Sequence, residues 1–112
     1  MAFSEQLAGR TRDLLAGQTG LAEKKMFGGV AFLLHGNMAF GILQDELVVR
    51  VGPERYQSSL AIPHTREFDI TGRPMKGWVL VAAAGVATEP QLNWWLTLGV
   101  SYALTLPAKQ PL

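Results

Sequence analysis

The 112 residues predict one α+β domain, spanning 1–112. Its expected order is an N-terminal helix, an antiparallel β-meander, a short helix, a further strand and a long C-terminal helix packed on the sheet. Two observations carry this. Between Lys24 and Val51, short apolar runs are punctuated by Gly28-Gly29, Gly36-Asn37 and Gln44-Asp45, the pattern of a meander. On both sides of that stretch the apolar residues recur at helical spacing, and the chain is long enough to bury a core without staples.

Ser4 suits the cap of a first helix whose apolar residues Phe3, Leu7, Leu14 and Leu15 share one face, with Gly17 and Gly20 ending it. The strand runs that follow are Met26-Phe27, Val30 to Leu34, Met38 to Leu43 and Leu47 to Val51. Gly36-Asn37 reads as a two-residue hairpin loop, since these residue types tolerate positive φ best. In the next strand Leu47, Val49 and Val51 share a face, so Arg50 projects with Val48 from the other and places a charge in the middle of the sheet.

Gly52-Pro53 opens a short helix, with Pro where a backbone N–H is not needed, and Tyr56 and Leu60 face inward until Pro63 stops it. Pro63 to Gly77 is polar, with His64, Arg66, Glu67, Asp69, Arg73 and Lys76, and reads as the functional loop. Trp78 to Val81 then predicts a strand buried on both faces. Thr88-Glu89-Pro90-Gln91 is a capping-box start for the last helix, whose core stripe is Leu92, Trp95, Leu96, Gly99, Tyr102, Ala103 and Leu106, with Pro107 ending it.

Ten Lys and Arg against nine Asp and Glu leave a formal charge of +1, which argues against a generic nucleic-acid binder and makes direct DNA binding an unfavoured expectation. With no Cys there are no disulfides, thiolate metal sites or cysteine nucleophile, which fits a cytoplasmic setting. Met1 to Arg12 mixes charges with apolar residues and lacks the apolar core of a secretory signal. The uncharged stretches Gly77 to Thr88 and Pro90 to Ala108 are broken by Gly and Pro, so no membrane span is expected.

Catalysis finds no support in the residues. His35 and His64 stand outside any spaced ligand motif, so neither a metal nor another cofactor is expected. Ser58, Ser59, His64 and Asp69 lack an elbow or an oxyanion loop, and the carboxylates Asp45, Glu46, Glu67 and Asp69 fall where solvation or ion pairing accounts for them. The expectation is a non-enzymatic module with no catalytic residues.

Two surfaces remain as candidates. Lys25, Arg50, Arg55, Arg66, Arg73 and Lys76 form a cation-rich set that either binds an acidic protein surface, RNA or a phosphate ligand, or pairs internally with Glu54, Glu67 and Asp69. Trp94 and Leu98 form a second helical stripe beside the core stripe, which reads either as a homodimer interface or as part of a well-wrapped helix.

Several blocks in fixed order carry a resemblance: Lys24-Lys25-Met26-Phe27-Gly28-Gly29, Gly36-Asn37-Met38 with Gly41, Val49 to Tyr56, Gly72 to Trp78, then Trp95, Gly99 and Leu106-Pro107. Together they resemble the TfoX/Sxy family, in its N-terminal domain, over nearly the whole chain. The resemblance implies an α+β, non-enzymatic domain of competence regulators, without a cofactor, that acts with a transcription factor of the cyclic-AMP receptor type. The form expected is a single-domain member without the C-terminal helical domain of the better-known regulators. The motif positions Lys25, Gly28, Gly29, Arg50, Arg55, Arg73, Lys76 and Trp78 carry over as binding or structural positions, with no catalytic residue among them.

Overall fold

The structure, a computed structural model, describes residues 3–26, 28–69 and 72–109. Helix α1 covers Glu5–Leu14 and is capped by the Ser4 hydroxyl, which accepts from the Leu7 N–H at 3.0 Å. Strands β1 (Leu21–Met26), β2 (Gly29–Leu34), β3 (Asn37–Leu43) and β4 (Glu46–Arg50) follow as a meander. A 3-10 turn, Pro53–Arg55, leads into α2 (Tyr56–Leu60); β5 (Thr65–Glu67), β6 (Trp78–Val81), a second 3-10 turn, Ala83–Gly85, and α3 (Glu89–Ala103) complete the order. The α+β architecture is as the sequence predicts.

Six strands form one antiparallel sheet in the order β1-β2-β3-β4-β6-β5. Val30, Phe32, Phe40, Ile42, Leu47, Val49, Val79 and Val81 turn one face toward the helices, where they meet Leu7 of α1 and Leu92, Trp95 and Leu96 of α3 in a common core. Two of the helix signals are local and exact in their hydrogen bonds. The Thr88 hydroxyl accepts from the Gln91 N–H at 3.3 Å, while the Gln91 side chain accepts from the Thr88 N–H at 3.0 Å, closing the capping box.

Close approach of α3 to the sheet depends on Gly99. A Cβ there would stand 2.2 Å from Cε1 of the fully buried Phe40 ring, so the ring occupies the space a side chain would need. The sequence places Gly99 on the core stripe; the reason for its being glycine is this contact.

Three details differ from the sequence reading. The β2–β3 loop is His35-Gly36, both at positive φ (51° and 85°), with Leu34 opposite Asn37. Asn37 is therefore the first residue of β3, and its buried amide donates to the Pro107 carbonyl at 2.9 Å, tying the chain after α3 to the hairpin. β1 begins at Leu21, earlier than its apolar content suggests, because an exposed edge strand tolerates the charges of Glu23, Lys24 and Lys25. Residue 27, which the sequence reading puts in that strand, lies outside the described residues. Finally, the polar segment from Pro63 starts as β5, an edge strand against β6, rather than as a loop throughout.

Arg12 on α1 grips Glu23 on β1 through two bonds of 2.6 and 2.9 Å, and this bond holds the Glu23 carboxyl below its ordinary range. Tyr56, buried on α2, donates to Glu67 on β5 at 3.3 Å; burial, and then the nearby carboxylate, holds its phenol above the usual value.

One buried group is left without a partner among the described residues, the Thr11 hydroxyl on the inner side of α1. Thr11→Val keeps the branched shape and removes an unsatisfied oxygen, so it is expected to raise stability by about 1–2 kcal/mol. An unchanged or lower midpoint in urea unfolding would contradict this.

Candidate binding surface on the open face of the sheet

Helices cover one face of the sheet. The other carries Ala31 of β2, Gly41 of β3 and Val48 of β4 side by side, because the register pairs Ala31 with Gly41 and Gly41 with Val48. Three small residues abreast lower the sheet surface into a trough of about 390 Å³, a size typical of small-molecule and side-chain pockets. Its walls are Met26, Met38, Leu43, Phe68 and Met75, so three of the four methionines stand around it. Met38 leans over the floor: its Cε lies 2.8 Å from where a Cβ on Gly41 would be.

The segment after β5 builds one side of the trough. Phe68 follows the last residue of β5, and Met75 returns to it through a Met75 N–H to Phe68 carbonyl bond of 3.0 Å. Gly77, at φ 94°, then presents its carbonyl to the Val51 and Gly52 N–H groups at 2.8 and 3.0 Å, fastening the segment to the end of β4. Residues 70 and 71 of this segment lie outside the described residues. The polar stretch singled out from sequence is thus anchored at both ends, and its apolar members Phe68 and Met75 face the trough.

Arg50 ends β4 on the same open face, paired in register with Trp78. Its guanidinium carbon lies 5.1 Å from the Trp78 ring centre and 5.6 Å from that of Tyr102 on α3, within cation–π range of both. One N–H reaches the Met38 carbonyl at 3.5 Å. Trp78 in turn packs against Phe68, with ring centres 6.2 Å apart. Arg50 is central across the sheet, as its alternation predicts, but it sits at a strand end rather than mid-strand.

The other cations do not gather around it. Lys25 is on the edge strand β1 and Arg66 on the opposite edge, β5, five strand spacings or roughly 24 Å apart. Arg66 is occupied: it holds both carboxylate oxygens of Glu46 at 2.5 and 2.9 Å, and this bond raises its pKa further. The partner is Glu46, not Glu54, Glu67 or Asp69, because Glu46 and Arg66 both project from the open face while Glu67 turns inward to Tyr56. Arg55, Arg73 and Lys76 are exposed, Arg55 on the 3-10 turn and the other two flanking Met75.

The expected Trp94 and Leu98 stripe does not exist as a surface. Leu98 is 7% exposed and belongs to the core, whereas Trp94 is 51% exposed and stands edge-on to the buried Trp95 at 5.0 Å. Trp94 instead joins Ile62, Pro63, His64 and Pro90 along a separate shallow groove.

The trough itself was missed from sequence. Its signal is present: β2 and β3 are apolar without alternation, the mark of strands whose two faces both leave water. The helices are sufficient for one face only. Among the described residues no group of His, Cys, Asp and Glu is placed to hold a metal ion, and no helix is long and apolar enough to cross a membrane.

Comparison with curated proteins and with solved structures finds no significant match. A family model does match, over residues 13–103, which includes every strand and α3. The chain belongs to the TfoX N-terminal domain family.

Proposed function

We propose that this protein is a non-enzymatic regulatory module of the cytoplasm that binds a transcription factor of the cyclic-AMP receptor type through the open face of its sheet. The observation that carries the reading is the Met-walled trough floored by Ala31, Gly41 and Val48. Unbranched thioether side chains adapt to differently shaped apolar partners, which suits a docking surface better than a catalytic cleft. Arg50 beside Met38, with Arg73 and Lys76 on the segment that carries Met75, favours a partner segment that is apolar on one side and acidic on its flank.

Gly41→Val fills the floor of the trough with a residue suited to a strand, at a position where the only atom closer than 3.0 Å to the new Cβ is the tip of Met38. Purified protein and a purified receptor-type factor are to be crosslinked and the complex quantified. Gly41→Val is expected to reduce the complex at least ten-fold, and Trp94→Ala to leave it unchanged. Full complex formation by a folded Gly41→Val variant, or none by the wild type, would refute the reading.

A further inference from the structure

The trough is apolar along its length, and Arg50, which does not line it, stands next to it at the backbone of its wall residue Met38. Arg50 is held between the Trp78 and Tyr102 rings, and its N–H bonds to Met38, the residue whose side chain overhangs the floor. A guanidinium offers five N–H donors. Arg50 makes one long bond and, among the described residues, no ion pair. Arg66, on the same face, is chelated by Glu46 and has no such capacity to spare. Lys24 also stands on this face, opposite Ala31, but it is an exposed point charge on a flexible stem in the edge strand.

An apolar slot with three methionines in its walls, and a planar donor fork held beside one of them, matches a molecule with an unbranched apolar body and a carboxylate head. We propose that the trough binds a medium-chain aliphatic carboxylate, with its chain over Ala31, Gly41 and Val48 and its carboxylate on the Arg50 guanidinium. The proposal rests on the open face being the working surface. It makes that surface ligand-responsive, because the bound chain occupies the volume a protein partner would use.

Decanoate, kept below its micelle-forming concentration, and 1-decanol, which has the same chain without the charge, are the probes. They are titrated into isotope-labelled protein without any partner, with backbone amide shifts as the readout. Decanoate is expected to shift the amides of Ala31, Gly41, Val48 and Arg50. Gly41→Val should weaken both probes at least ten-fold. Arg50→Gln should weaken decanoate about ten-fold, equivalent to about 1.4 kcal/mol, while leaving decanol within two-fold.

Absence of shifts on the open face, undiminished binding to Gly41→Val, or equal loss of both probes in Arg50→Gln would overturn the proposal. So would an effect on decanoate that follows Lys24→Gln instead. Because no partner is present, failure here leaves the crosslinking result standing, and failure of the crosslinking leaves this titration readable.

Discussion

Leu98→Ala is expected to destabilise the protein by about 2–5 kcal/mol, the usual range for truncating a buried leucine. Trp94→Ala, four residues away on the same helix, should cost only about 0.5–1.5 kcal/mol, the contribution of its edge-on contact with Trp95. The difference follows from burial, since Leu98 lies in the core cluster and Trp94 is half in solvent. Urea unfolding followed by circular dichroism measures both. Similar costs for the two variants would mean that Trp94 is covered, as in a dimer through that face, and repeating the measurement over a range of protein concentrations would show it.

Gly99→Ala should also destabilise, by about 1–3 kcal/mol, although alanine is the better helix former by about 1 kcal/mol. The added methyl has to displace the Phe40 ring, which is fully buried in the close-packed core. The ring is the cause, so removing it should reverse the sign. In a Phe40→Leu background, Gly99→Ala is expected to be neutral or stabilising, and a double-mutant cycle isolates a coupling of at least about 1 kcal/mol. Additive effects in that cycle would place the origin of the glycine elsewhere, in the helix itself.

Both predictions concern a helix whose existence was plain in the sequence but whose covered arc was not. Helical angle places Leu98 beside Trp94, yet one is buried and the other exposed, because a helix on a sheet is covered by flanking elements as well as by the strands below. The same gap appears in the meander. Gln44-Asp45 marks its turn correctly, whereas Gly29, read as part of a turn, pairs with Met26 as the first residue of β2, and the β2–β3 loop is likewise displaced by one residue because His35 adopts positive φ and frees Asn37 to pair and to hold Pro107. A local propensity for Asn in turns is overruled there by a hydrogen bond across 70 residues of sequence.

The candidate site shows the same division. Arg50 was legible as an unusual charge on a strand, and its alternation with Val49 and Val51 places it on the face opposite the core. That it is pinned by Trp78 and Tyr102 was not legible, since those rings arrive from a different strand and from α3. The six cations looked clustered in sequence and are spread from one sheet edge to the other, because strand order, not chain order, sets their separation.

The sequence by itself determined the α+β class, the single core, the caps at Ser4 and Thr88, and the family, all of which follow from the period of apolar residues, local hydrogen bonds and short motifs. The tertiary structure alone decided that Ala31, Gly41 and Val48 lie abreast under three methionines, that Arg66 takes Glu46, and that Leu98 belongs to the core. Those outcomes depend on which residues register and on what packs beside them, relations between distant parts of the chain that no local pattern encodes.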